Sequence, residues 1–259
     1  MQNMQADKLL LAKLVDKLKI SKSKNKIVNT DFMNEYQITI VKNELQKSKE
    51  ENYIIAGGYE GAKRVIVVAY PEKINENIVN NSIDNILKAI KIELPNEISG
   101  VLQHKDYLGT VMSFGLVRER IGDIIVYENI AYIIVLEENA QYIKSSFELE
   151  KKFKKAKITI VNINEIEVKK EEFEEMKISV SSFRLDNVVS EILKTSRKTS
   201  QELIENEKVF VNYVVEIKST KIIKEKDVLT VRGKGKYIIE EFIGKNRKNK
   251  EIILVKKYK

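Results

Sequence analysis

The stretch that decides the fold is FRLDNVVSEILKTSRKTSQELIENEKVFVNY, Phe183–Tyr213. Leu185, Val188, Val189, Ile192 and Leu193 recur at i, i+3, i+4, i+7 and i+8, the spacing of one apolar helix face. Thr195 and Ser196 break that period, and Ser196 is placed to cap a second helix whose Leu203 and Ile204 turn inward. KVFVNYVVEI then reads as a short strand, with Val209 and Val211 on one side and a turn at Asn212-Tyr213. Further on, DVLTVRGKGKYIIEEF adds a strand through Val228, Leu229 and Val231 and a loop carrying Arg232, Lys234 and Lys236 between glycines. Two helices followed by short strands predict a small α+β domain.

The basic side chains of this region fall off its apolar faces. Arg184 opens the first helix, while Arg197 and Lys198 occupy the first turn of the second, where backbone N–H groups favour an anion. An arginine there holds a phosphate with a planar, bidentate fork, and Ser200 and Gln201 add neutral contacts one turn further on. The candidate RNA-binding residues are therefore Arg184, Lys194, Arg197, Lys198, Ser200, Gln201, Lys208, Arg232, Lys234 and Lys236. Arg-Leu-Asp is a catalytic signature in some RNA-modifying enzymes. Here Asp186 stands at a helix start, where a carboxylate complements the helix dipole and pairs with a basic neighbour. No catalytic residue is assigned.

Composition supports a polyanionic partner. The chain has 259 residues, 43% hydrophobic and 32% charged, with a formal charge of +8 and a pI near 9.2. That length suits two or three globular domains. Residues 181–259 hold 19 Lys+Arg and 11 Asp+Glu, so the whole excess sits in the last third. The pattern is that of a phosphate footprint, or of a lysine-rich surface. With no cysteine there are no disulfides or thiolate sites, and a single histidine, His104, does not support a histidine metal site. Neither a metal nor a cofactor is expected. The N-terminus lacks the features of a signal peptide, and no apolar run reaches the ~18 residues of a membrane span. A cytoplasmic protein without a membrane partner is the expectation.

Upstream, Leu10, Leu11, Leu14, Val15 and Leu18 predict an amphipathic helix over 5–20. Thr30 or Asp31 is read as the cap of a second helix running to Ser48. YIIAGGYEGAKRVIVVAYP reads as strand, glycine turn and strand; its glycines lack the Lys-Ser/Thr of a P-loop. From Ile83 to Ile163 the order is β-α-β-β-α-β, the ferredoxin-like split unit that also frames RRM domains. The aromatic RRM signature is absent, so base stacking is not inferred there. In HKDYLGTVMSFGLVRERIGDIIV, Gly109 is read as permitting close packing and Gly122-Asp123 as a turn. His104, Lys105, Arg118 and Arg120 are open as RNA contacts. EIEVKKEEFEEMK bridges into the last domain as a strand or solvated segment. The resulting boundaries are an α+β part at 1–73, an RRM-like domain at 74–165 and an RNA-binding domain with a basic tail at 180–259.

The ordered patterns R-L-D-x-x-V, S-R-x-x-x-x-x-L-I, V-x-V-N and D-V-L-x-V-R-G-x-G resemble the RNA-binding domain typified by ribosomal protein S-four, over Ser182–Tyr237. In that family two helices and an adjoining strand grip structured RNA. Glycine is usual where Glu207 and Tyr213 stand, so these residues are expected to carry roughly 1 kcal/mol of backbone strain each. Together with HKDYLGTVMSFGLVRERIGDIIV, the chain resembles the YlmH-type family of bacterial proteins. That resemblance implies a monomeric, non-enzymatic factor that binds ribosomal RNA and tRNA on the large ribosomal subunit, in quality control of stalled translation. Two alternatives stand beside it: an RNA-modifying enzyme of the pseudouridine synthase or methyltransferase class, and an adaptor tethering a protein to RNA.

Overall fold

The computed structural model describes residues 2–96, 102–168 and 171–259. Lys169 and Lys170, within EIEVKKEEFEEMK, lie outside them. The fold is α+β, and the chain divides into two compact units, residues 1–169 and 170–259.

The first unit opens with α1 (Gln2–Lys24), β1 (Val28–Asn29), α2 (Glu35–Lys47), β2 (Tyr53–Ala56), β3 (Ile66–Ala69) and α3 (Glu76–Asn81). The three strands form an antiparallel sheet in the order β1-β3-β2. Helix α2 starts later than its expected cap. Asn34 Oδ1 accepts from Gln37 N at 2.9 Å and Gln37 Oε1 accepts from Asn34 N at 2.9 Å, a reciprocal capping box. Thr30 instead serves the sheet, its Oγ1 accepting from Val67 N at 3.0 Å. Phe32 lies buried ahead of the helix.

There follow β4 (Leu87–Glu93), α4 (His104–Ser113), β5 (Ile121–Val126), β6 (Ile130–Leu136), α5 (Glu137–Leu149) and β7 (Lys157–Val161). Their sheet runs β5-β6-β4-β7 with every neighbour antiparallel, the strand order of the split βαβ frame. Alternate residues point to opposite faces, and both faces are buried. Ile90, Ile92, Ile133 and Val135 pack with Tyr107 of α4 and Ile143 and Phe147 of α5. Leu87, Ala89, Tyr132 and Ile134 pack with Phe32, Ile54, Ile66 and Val68 of the N-terminal part.

Two glycine readings change. Gly122 and Asp123 lie inside β5, at an irregularity between Ile121 and Ile124, rather than in a turn. A Cβ on Gly122 would stand 2.7 Å from the Phe32 ring and 3.0 Å from Ile134 O, so it is Gly122 that permits the close approach. Gly109, by contrast, faces open space on α4. Asp123 ties down the glycine loop between β2 and β3, its carboxylate accepting from Lys63 N at 2.7 Å and the Tyr59 hydroxyl at 2.9 Å.

The second unit contains β8 (Phe173–Val180), α6 (Leu185–Leu193), α7 (Arg197–Glu205), β9 (Val209–Val211), β10 (Val214–Val215), β11 (Val228–Val231), β12 (Gly235–Lys245) and β13 (Glu251–Tyr258). They build a six-stranded antiparallel sheet ordered β10-β9-β11-β12-β13-β8. Leu185, Val188, Val189 and Ile192 of α6 and Ile204 of α7 share a core with Val209, Val211, Leu229, Val231, Ile239, Ile253 and Val255. The basic C-terminal residues belong to β12 and β13. Glu207 and Tyr213 adopt φ of 57° and 67°, the left-handed conformation expected to be strained at non-glycine residues.

Candidate nucleic-acid interface

Asp186 organises one end of the helix pair. Although ionisable, it is fully buried, because the second residue of α6 faces inward where α7 begins. Arg184 Nε and Nη2 donate to its two oxygens at 3.1 and 2.9 Å; Arg197 Nη2 donates at 2.8 Å and Gln201 Nε2 at 3.0 Å. Burial alone would raise this carboxyl's pKa. The bonds from Arg184, Arg197 and Gln201, with the charge of Arg197, outweigh burial and hold it well below the usual carboxylate range. Ser200 is buried too, its hydroxyl donating to Asp186 O at 2.8 Å. Asp186, Ser200 and Gln201 thus fasten α6 to α7. Two forks of Arg184 are already spent on the carboxylate, whereas Arg197 offers one nitrogen to it and keeps a half-exposed guanidinium.

The helix ends differ in what they offer. At α6 the first N–H groups are used, Leu185 N donating to Lys221 O at 2.8 Å and Asp186 N to Ser219 O at 3.1 Å. At α7 Ser196 is the cap, as expected, its Oγ accepting from Thr199 N at 3.1 Å. Lys198 projects from the same first turn and is exposed, as is Lys194, which closes α6 in the left-handed conformation at φ 51°.

The other basic residues gather at the far end of α7, ~14 Å away for nine helical residues. Arg232 N donates to Lys208 O at 2.9 Å, which sets the two side by side. Gly233 and Gly235, at φ 74° and 131°, place Lys234 at the tip of the loop. The sequence-predicted residues therefore form two groups, Arg184, Lys194, Arg197 and Lys198 with one, and Lys208, Arg232, Lys234 and Lys236 with the other.

Sequence reasoning missed the aromatic partners of the second group. The Arg232 guanidinium lies over the Phe210 ring at 5.5 Å, and Lys236 Nζ lies 4.7 Å from both the Tyr213 and Tyr258 rings. The alternation that buries Val209 and Val211 signals that Phe210 faces the other way. Tyr258 carried no such signal, because its strand partner, Phe173, lies far away in the sequence.

In the first unit, Arg118 and Arg120 are occupied. Arg118 Nη1 donates to Ile121 O at 2.5 Å and Gly122 O at 3.1 Å, and Arg120 pairs with Glu138 at 2.6 Å. Beside Arg118, the Arg64 guanidinium is pulled down to about 10 by burial and then by the neighbouring arginine, and remains charged at neutral pH. His104 and Lys105 are exposed at the start of α4. A basic run that the motifs did not single out, Lys151, Lys152, Lys154 and Lys155, surrounds the buried Phe153; Lys152 reaches Asp106 of α4 at 3.7 Å. Because the sheet of this unit is covered on both faces, it offers no open platform for bases. Among the described residues, no group of three or more His, Asp or Glu is placed to hold a metal. No helix of the described chain is long and apolar enough to cross a membrane.

The first unit carries a split βαβ frame with exposed lysines at its helical side, and the second gathers cations at the ends of one of its paired helices, features in keeping with an RNA-binding class of protein. Residues 81–170 match the family described as "Putative RNA-binding domain in YlmH". Over 229 residues the chain is 28% identical to the ribosome-associated protein quality control protein P2 of Bacillus subtilis (strain 168), covering 85% of this chain and 83% of that protein. A solved structure, the cell division protein ylmH from Streptococcus pneumoniae, aligns with a TM-score of 0.47 at 20% identity, over 62% of this chain and 93% of that one. The chain is similar to YlmH-type RNA-binding proteins, as its motifs indicated.

Proposed function

We propose that the protein is a non-enzymatic, cytoplasmic RNA-binding factor that grips structured RNA of the ribosome. Its partners on this reading are ribosomal RNA and tRNA on the large subunit, in quality control of stalled translation; the name of the Bacillus subtilis relative, a ribosome-associated protein quality control protein, supports the ribosomal part of that reading. The protein acts as a monomer and without cofactor. The observation that carries the proposal is the confinement of the formal charge of +8 to residues 181–259, where cations cluster at both ends of α7. Arg197, Lys198 and Lys194 meet backbone phosphates at one end. Lys208, Arg232, Lys234 and Lys236 do so at the other, and Arg184, Ser200 and Gln201 hold the helices in place around Asp186.

Sedimentation of lysate through sucrose gradients tests this. Wild-type protein is expected to travel with free large subunits at low salt and to leave them at high salt, where displaced counterions no longer favour binding. Lys198→Gln with Lys208→Gln and Lys234→Gln should remain at the top of the gradient. Wild type confined to the top under gentle conditions would refute a stable ribosome contact.

An adaptor role is favoured by one observation in the first unit. A groove of about 730 Å³ runs along α1, lined by Leu9, Leu10, Ile20, Phe32 and Val117, with Leu9 and Val117 well exposed. Leu9→Glu with Val117→Glu would then lose a co-purifying protein while RNA affinity stays unchanged.

A further inference from the structure

The six-stranded sheet of the second unit has one face in the core beneath α6 and α7. Its other face carries, in a single cross-strand row, Phe210, Thr230, Lys236, Tyr258 and Phe173. The register sets Phe210 opposite Thr230, Thr230 opposite Lys236 and Tyr258 opposite Phe173; the Lys236 Nζ lies over the Tyr258 ring. All five are partly exposed. From Phe210 to Tyr258 the row crosses three strand spacings, ~14 Å.

We propose that this face is a stacking platform for unpaired RNA bases, with Phe210, Tyr213 and Tyr258 as the rings and Arg232 and Lys236 as the cations that meet the intervening phosphates. The inference rests on the RNA-binding reading above and extends it from phosphate contacts to base contacts.

Four features support it. Cations already occupy positions over the rings: Arg232 is 5.5 Å from Phe210, and Lys236 stands 4.7 Å from both Tyr213 and Tyr258. An exposed cation–π contact is weaker than base–aromatic stacking, so a base can displace the ammonium, which then turns to a phosphate. Tyr213 carries its ring at a left-handed φ of 67°, where glycine would be unstrained. Lastly, Lys208 and Lys234 lie exposed beside the row and supply the charge complementarity that a polyanion, rather than an apolar protein surface, requires. A sheet that stacks two or three bases on strand aromatics is an established way of reading single strands. Duplex RNA keeps its bases stacked on each other and cannot use such a face. The occupant is therefore a loop, bulge or single strand.

The test uses the full chain, a 12-nucleotide single-stranded RNA carrying 2-aminopurine and a duplex of the same length, read by anisotropy and 2-aminopurine fluorescence. Wild type should quench the probe on binding. Phe210→Leu and Tyr258→Leu should each weaken single-strand binding about tenfold and leave duplex binding within about twofold. Tyr258→Phe, which keeps the ring, should bind as wild type does. Unquenched probe on wild-type binding overturns the platform, as do equal losses for both RNAs. Failure of wild type to bind either RNA overturns the RNA-binding reading itself. The wild-type quenching does not depend on any variant folding.

Discussion

Asp186 makes the sharpest prediction. Replace Arg197 by Met and its carboxylate loses one charge-assisted bond of 2.8 Å. Because that arginine side chain is 54% exposed, solvent screening discounts the loss to about 1 kcal/mol. Arg184→Met removes two bonds to the same carboxylate, so a larger loss than for Arg197→Met is expected. Removing both leaves a buried carboxylate with Gln201 Nε2 and Asn187 N as donors, for which breaking a buried pair costs about 3–5 kcal/mol. Protonation sets a ceiling. Neutralising a carboxyl of ordinary pKa ~3.9 at pH 7 costs about 4 kcal/mol, which caps the burial penalty of the unpaired carboxylate; the stabilisation that the depressed wild-type pKa supplied is lost in addition, so the double variant should lose at least about 3–5 kcal/mol.

The pH dependence reverses between the two proteins. In wild type the folded pKa of Asp186 is depressed, so its stabilisation is fully present above the unfolded value of ~3.9 and is lost as pH falls below that value through the lower folded one. In the double variant burial dominates and raises the folded pKa. The variant should then be most stable near pH 4 and weaken as pH rises towards 7. Hydrogen exchange of peptides spanning α6 and α7, corrected for intrinsic rates, reads this locally; a chain of two units does not license a two-state unfolding fit. A double variant within about 1 kcal/mol of wild type, or one whose protection keeps the wild-type pH trend, would refute the reasoning.

Gly109→Ala, in the interior of α4 with open space around the new Cβ, should stabilise the first unit by about 0.5–1 kcal/mol, measured by hydrogen exchange of its most protected peptides. Gly122→Ala should destabilise it by about 1–3 kcal/mol in the same assay, since the Cβ meets the Phe32 ring at 2.7 Å. Tyr213→Gly converts the β9–β10 turn to Asn-Gly. It should raise stability by up to ~1 kcal/mol while lowering affinity for single-stranded RNA, read by hydrogen exchange and anisotropy. Across a salt titration, log affinity for RNA should fall with a slope of about 4 rather than the ~6–7 of eight neutralised phosphates, as argued from usable charge below.

The helices of the second unit were legible because period and capping act locally. Leu185, Val188, Val189 and Ile192 needed only the 3.6-residue repeat, and Ser196 only its hydroxyl. The strand order of the central sheet followed from element order, since a split βαβ frame has few closures. What was not legible depends on tertiary approach. Nothing in the local sequence says that Gly122 must admit the Phe32 ring, or that Thr30 serves Val67 N rather than a helix. The same holds for the candidate site. The basic residues were visible as types and spacing, but Asp186, Ser200 and Gln201 turn towards one another only once α7 crosses α6. Period alone therefore could not show that a buried carboxylate engages both Arg184 and Arg197, nor that Arg197 keeps the more exposed guanidinium of the two.

That engagement separates formal charge from usable charge. Lys221 pairs with Glu216, Lys226 and Lys256 with Glu240, Lys245 with Glu251, Lys257 with Glu174 and Lys259 with Glu172. Lys194, Lys198, Lys208, Arg232 and Lys234 enter no ion pair among the described residues, and all five flank α7 or the loop before β12. At roughly 0.7–0.9 released counterions per neutralised phosphate, five such cations give a salt slope of about 4. Lys245, Lys256 and Lys257 of the β12–β13 hairpin are held in ion pairs, whereas Arg247, Lys248 and Lys250 of its turn, with Lys218 and Lys224 before β11, enter none among the described residues and steepen the slope where RNA reaches them. Binding strength on this fold is thus set by where carboxylates are absent, the two ends of one nine-residue helix among those places, rather than by the excess of +8 itself.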